Sequence, residues 1–142
     1  VDLGTFTIKE ARVGDDANPI DKAIALLASP NDATRRSGVE ALVKACSDPR
    51  AAATLAVTLR THAKADTRAM AAQHLGTCHD KDAVPALIAA LGGDADVTVR
   101  VWAASILGTL GDASAKPALQ KAAHDDKDDG VRSTAEKSLK KL

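Results

Sequence analysis

The stretch "VRVWAASILGTLGDASAKPAL", Val99 to Leu119, has a near-copy 32 residues earlier, "TRAMAAQHLGTCHDKDAVPAL". A fixed period of this length is the mark of a solenoid, in which each copy is one supersecondary unit. Arg68, Arg100 and Arg132 are spaced by 32, and Arg35 precedes Arg68 by 33. Seven residues after each arginine comes Leu42, Leu75, Leu107 or Leu139. An aspartate follows (Asp48, Asp80, Asp112), and seven residues beyond it stands Leu55, Leu87 or Leu119. Such a chain has little choice of fold, because one copy cannot cover its own apolar face and must stack on its neighbours.

Each copy reads as two helices. Val99, Ala103, Ile106, Leu107 and Leu110 fall on one helical face. Val84, Leu87 and Leu91 give the second helix its buried side. Asp32, Asp66 and Asp96 are expected to cap the first helices, and Asp48-Pro49 reads as a cap followed by proline at the first helical position. Gly38, Ala71, Ala103 and Ala135 are equivalent and always small, as a close helix crossing requires. The spacing predicts a lone helix over 20–29, pairs over 33–47/49–63, 67–78/81–92 and 98–110/113–124, and a closing helix over 130–141. The expected architecture is therefore all-α, a right-handed solenoid of about three full and flanking partial hairpins with period 32. Residues 1–18 stand outside the period and read as an N-terminal arm or linker before a repeat domain at 19–142.

Composition narrows the functional classes. One Phe, one Trp and no Tyr leave an interior of Ala and Leu, which suits short, tightly packed helices. Nineteen basic residues balance nineteen acidic ones, which argues against nucleic acid, whose partners carry a concentrated positive field. No run approaches the ~18 apolar residues of a membrane span. The first residues have neither a signal peptide's layout nor a starting Met, so an excised domain or a processed form is expected. The compartment stays open, leaning to the cytoplasm with an exported form as the alternative. Cys46 and Cys78 are repeat-equivalent. Adjacent helix axes lie roughly 8–10 Å apart, against the ~7 Å Cα limit of a disulfide. Two buried free thiols are therefore expected.

Catalytic and metal-binding patterns are missing. His62, His74, His79 and His124 are scattered, with no H-E-x-x-H or C-x-x-C among them. "HDDKDDG" at 124–130 puts Lys127 where a calcium loop needs an oxygen, so it reads as a solvated turn that caps the last helix. "LGTLG" ends a helix and has no preceding strand, so it is not a phosphate loop. No catalytic residue, metal or cofactor is expected.

The pattern V/T-R, A-A, L-G, D, P-A-L, carried by "VTVRVWAASILGTLGDASAKPAL" and "DTRAMAAQHLGTCHDKDAVPALIAAL", resembles the HEAT-like repeats of phycobilisome lyases over about residues 19–142. The resemblance implies the fold but not a reaction, since scaffolds, lyase subunits and a few enzymes share it. One such enzyme, deoxyhypusine hydroxylase, holds iron through paired His-Glu motifs, and no His-Glu occurs here. The resemblance further implies a structural ladder in which Arg35, Arg68, Arg100 and Arg132 partner Asp48, Asp80 and Asp112. The first copy departs from the pattern, with "ALVKACSD" and no glycine.

In stacked helical pairs the second helices line the concave side. Their outward positions read Ala53, Val57, Arg60; Pro85, Ala89, Gly92; and Pro117, Lys121, His124. The expected site is thus a small, mildly apolar groove with cations near its ends, contributed mainly by Val57, Arg60, Ala89, Lys121 and His124. It lacks the aromatic platforms and dense Arg/Lys that nucleic acid wants, which also weakens a DNA-glycosylase reading. It suits an extended peptide or a helix. Trp102, on a helix flank, reads either as packing or as a partner hot spot. The function expected is a non-catalytic protein-interaction scaffold, a monomeric module of a larger protein with a protein or peptide partner. The alternatives are a lyase or cofactor-handling subunit and a spacer without a ligand.

Overall fold

The computed structural model of the protein describes residues 18–142. The expected arm at 1–18, except Asn18, lies outside the described residues. Helix α1 (Pro19–Leu27) is followed by three pairs: α2 (Asp32–Lys44) with α3 (Pro49–Thr61), α4 (Ala65–Cys78) with α5 (Val84–Gly93), and α6 (Val97–Leu110) with α7 (Lys116–Asp125). Helix α8 (Asp129–Leu139) closes the series, and no strand occurs among the described residues. Helices α2, α4, α6 and α8 pack on one another in one layer, and α1, α3, α5 and α7 form the other. The all-α solenoid read from the period is the observed fold.

Local chemistry sets the boundaries. Asn18 accepts from the Ile20 N–H, Asp48 from Arg50 N–H, Asp96 from Val99 N–H and Asp128 from Val131 N–H. Asn31, not Asp32, caps α2 through the Thr34 N–H, and Asp66 lies within the first turn of α4. Asp80 and Asp112 accept from Asp82 N–H and Ser114 N–H, each opening a 3₁₀ turn (Lys81–Ala83, Ala113–Ala115) that leads into α5 or α7. Helices α5 and α7 therefore begin three residues later than the spacing predicts, with Pro85 and Pro117 in their first turns, whereas α3 begins at Pro49 as expected. Helices α4 and α6 both end on a left-handed residue, His79 (φ 51°) and Gly111 (φ 66°); only the second has a residue suited to it.

The core lies between the layers. Leu42, Leu55, Leu75, Leu87, Leu107 and Leu119, with Val39, Val99 and Val131, are fully buried. Small residues let the first layer close. A β-carbon on Gly76 would stand 2.8 Å from Ile106 Cδ1, and one on Gly108 would stand 2.5 Å from Ser138 Oγ and 2.9 Å from Ser138 Cα. Ser138 instead donates its hydroxyl to Ala104 O at 2.7 Å.

Two expectations are corrected here. Cys46 and Cys78 are not free thiols: they form a disulfide with Cα atoms 5.4 Å apart. The separation of helix axes does not govern them, because Cys46 lies in the turn beyond α2 and Cys78 is the last residue of α4. On the chain-entropy account, a closed loop of this length contributes about 3–4 kcal/mol.

The second correction concerns the arginine ladder. Asp48, Asp80 and Asp112 are not its partners, because their carboxylates are used locally as caps. Arg68 pairs bidentately with Asp94, Nε to Oδ2 at 2.9 Å and Nη2 to Oδ1 at 3.1 Å, while Nη1 donates to His62 O. Arg100 repeats this with Asp126 (3.1 and 3.4 Å) and donates Nη1 to Asp94 O and Ala95 O. Arg132 reaches Asp126 O and pairs with Asp129. Arg35 is 1% exposed and bonds Ser29 O, Asp32 and Thr67 Oγ1. Each of these arginines thus ties down the loop that enters its own pair. Arg68 and Arg100 also tie down the loop that leaves theirs.

Burial alone would raise the Asp94 carboxyl. The hydrogen bonds from Arg68 and the Asp96 N–H, with the charges of Arg68 and Arg100, outweigh it and hold the group below its ordinary value. Asp126 is lowered likewise: burial opposes, and the Asp128 N–H, Arg100 and Arg132 prevail. A carboxyl depressed in the folded state contributes stability that is present above its unfolded pKa of about 3.9 and lost as pH falls below it. The thermal midpoint is accordingly expected to hold from neutrality to about pH 5 and fall below about pH 4. Asp94→Asn with Asp126→Asn should start lower and lose less on acidification, as followed by circular dichroism.

Arg100→Ala leaves the buried Asp126 carboxylate without its main partner and should cost about 3 kcal/mol in denaturant unfolding. Glycine replacements should split by sign. Gly108→Ala forces α8 away and should destabilise by about 1–3 kcal/mol. Gly92→Ala, whose β-carbon meets nothing within 4 Å, should stabilise by up to about 1 kcal/mol.

Candidate functional site

Val57 and Arg60 on α3, Ala89 on α5, and Lys121 and His124 on α7 are all exposed, and all lie in the layer of second helices. Ala53, Pro85, Gly92 and Pro117 share that exposure. Arg50, on the same layer, is held by Asp48, its Nη2 2.8 Å from Oδ2. His124 Nδ1 lies 2.6 Å from Asp125 Oδ1; that hydrogen bond, then the carboxylate's charge, raises the imidazole above its usual value. The α7 end of the face therefore carries two basic side chains beside one carboxylate.

The face is divided into two clefts rather than being one groove. Helices α3 and α5 pack directly. On one side, α1 and α3 part over a cleft of about 610 Å³ floored by Ile20, Ile24, Leu27, Ala53 and Val57. Ile24 and Val57 are each 47% exposed, large apolar side chains in contact with water. On the other side, α5 and α7 enclose about 650 Å³ between Ile88, Leu91, Ala118 and Ala122, with Arg100 and Asp126 at its base and Lys121 and Lys127 among its lining residues. This second cleft exists because Gly92 and Gly93 carry no side chains, where the neighbouring copies have Arg60-Thr61 and His124-Asp125.

Two contributors escaped the sequence reading. Ile24 was outside the expected groove because α1 reads as a lone helix, and its i+4 spacing from Ile20 places it on the apolar stripe with Ala23 and Leu27, although it is exposed. His62 occupies the position that Asp94 and Asp126 hold in the later copies. Its Nδ1 accepts the Lys64 N–H at 3.0 Å, as Asp94 and Asp126 accept from Asp96 and Asp128, so Nε2 donates to Leu27 O at 2.9 Å. It thereby fixes the end of α1 at the rim of the first cleft.

The remaining side chains singled out in the sequence lie elsewhere. Trp102 is half-buried on α6 and packs on the core from the opposite layer. His74 is half-buried on α4; burial lowers its basicity, with Glu40 opposing. In "HDDKDDG", Asp126 serves Arg100 and Asp128 caps α8. Among the described residues no group of three or more His, Cys, Asp or Glu is placed to hold a metal ion, and no helix is long and apolar enough to cross a membrane.

Comparison with known proteins agrees with this geometry. A solved structure, the complex of CpcE and CpcF of phycocyanin lyase from Nostoc sp. PCC7120, is similar at 28% identity and a TM-score of 0.61, over 86% of this chain and 53% of that one. The chain thus spans about half the length of that neighbour. No curated protein matches it in sequence. The family described as HEAT repeats matches residues 52–140, which leaves out residues 1–51 and the last two. With more than half of its length so matched, the chain belongs to the HEAT-repeat family.

Proposed function

We infer that the chain is a non-catalytic protein-interaction module that receives a peptide or helix on the face of its second helices. The observation that carries this reading is the contrast between the layers. Glycine contacts close the first layer, whereas the second opens two apolar-floored clefts and leaves Val57, Ala89 and their neighbours exposed. An apolar floor with separated cations suits a segment that lays small apolar side chains into pockets and carboxylates along the rim. Arg60 and Lys121, on helices flanking α5, are the positions from which charge would steer it.

A second reading, a subunit of a lyase-type complex, is favoured by the likeness to the CpcE–CpcF structure. In that case the same face would meet a partner chain, and the chain itself would supply no chemistry.

The test is affinity capture on wild type beside Arg60→Glu/Lys121→Glu, followed by titration calorimetry on the partner identified. The variant should keep its helical circular dichroism and bind at least about tenfold more weakly, a loss of about 1.4 kcal/mol. Unchanged affinity would remove the site from this face, and capture by neither protein would leave the chain as a spacer. Recovery of a lyase partner chain would favour the second reading.

A further inference from the structure

Successive helix pairs in the later part of the chain are joined in two ways. Glycine in the first layer seats the next helix, Gly76 against Ile106 and Gly108 against Ser138. An arginine also reaches the carboxylate of the following loop, Arg68 to Asp94 and Arg100 to Asp126. At the joint between the first and second pairs the glycine is absent, and the bidentate carboxylate link is reduced to one long ion pair. Val43 follows Leu42 where Gly76 and Gly108 follow Leu75 and Leu107. His62 stands in place of the aspartate, and an imidazole that accepts the Lys64 N–H offers Arg35 no carboxylate. Arg35 donates instead to the Thr67 hydroxyl at 2.9 Å, with Asp66 3.8 Å away.

It is at this joint that the Cys46–Cys78 disulfide stands, between the turn after α2 and the end of α4. In the next copy Leu110 has the place of Cys78 and is buried in the core. Both half-cystines are partly exposed and flanked by the exposed Ser47, Thr77 and His79. A small thiol can approach them from the turn side.

We propose that the Cys46–Cys78 bond is a redox-controlled staple for a joint that lacks the glycine and the bidentate carboxylate of the later ones, so that reduction loosens the first pair from the second and leaves the later joints intact. In its formation the two thiols lose two protons and two electrons to a disulfide-bonded oxidant of the thiol–disulfide exchange class. The oxidant leaves as its dithiol after a mixed-disulfide step. Cleavage is the reverse, with a dithiol as electron donor. Because such bonds persist in oxidising surroundings, the joint is held there and released in a glutathione-buffered cytosol.

Amide hydrogen exchange on the full chain, with and without dithiothreitol, tests this. Reduction should raise exchange over 32–61 by at least about tenfold while 97–139 keep their protection. The thermal midpoint should fall by roughly 10 °C. Cys46→Ala/Cys78→Ala should reproduce both effects without reductant, and if it does not fold, reduced wild type gives the reading. Free thiols after exposure to glutathione disulfide would overturn the proposal. So would an unchanged exchange profile on reduction, or one that rises equally along the whole chain.

Discussion

A helix with one apolar face has nowhere to bury it except against another helix, and in a repeated chain that other helix belongs to the next copy. How closely the copies approach is therefore the constraint on which the rest of this structure depends. The chain meets it with subtraction. Gly76 and Gly108 carry no side chain, and the always-small series Gly38, Ala71, Ala103 and Ala135 is buried. Dispersion attraction is short-ranged, so the loss of one β-carbon at such a crossing brings many other atoms into contact. An Ala/Leu interior with scarcely any aromatic residue is the composition such a stack can fill.

Close approach also leaves backbone groups to satisfy. The loops between copies expose carbonyls at the ends of the second helices, and a guanidinium can serve several acceptors at fixed angles. Arg100 is used in this way, holding Asp94 O and Ala95 O on one side and the Asp126 carboxylate on the other. A buried ion pair adds little net stability over an apolar pair of the same shape. Its contribution here is to register: Arg68 and Arg100 each span the loops before and after their own pair, so one pair sets the position of the next.

What the sequence made legible divides along the same line. The helices, their pairing and the buried leucines were readable because a period of 32 leaves a stack of hairpins as the way to bury Leu42, Leu75 and Leu107 together. The arginines were readable as repeat positions, but their partners were not. Asp48, Asp80 and Asp112 recur as regularly as Asp94 and Asp126, and periodicity does not say which loop a long side chain reaches. Nor could it show that the two cysteines meet, because Cys46 lies beyond the end of α2, where the spacing of helix axes no longer applies. The outward positions of the second helices were legible as a face. Its division into two clefts was not, since that depends on the direct packing of α3 on α5 and on the empty space beside Gly92 and Gly93.

The two layers answer opposite demands. The first layer is drawn together through glycine, and Trp102 on that side is partly withdrawn against the core. The second layer carries small and apolar residues whose exposure nothing in the fold requires. Ile24 and Val57 illustrate this, because neither is among the buried residues of its own helix. Apolar area left in water is a standing cost of about 25 cal/mol per Å². Ile24 and Val57 line one cleft, the surface on which the proposed partner would be received. The functional reading thus rests on surface that the fold would be more stable without.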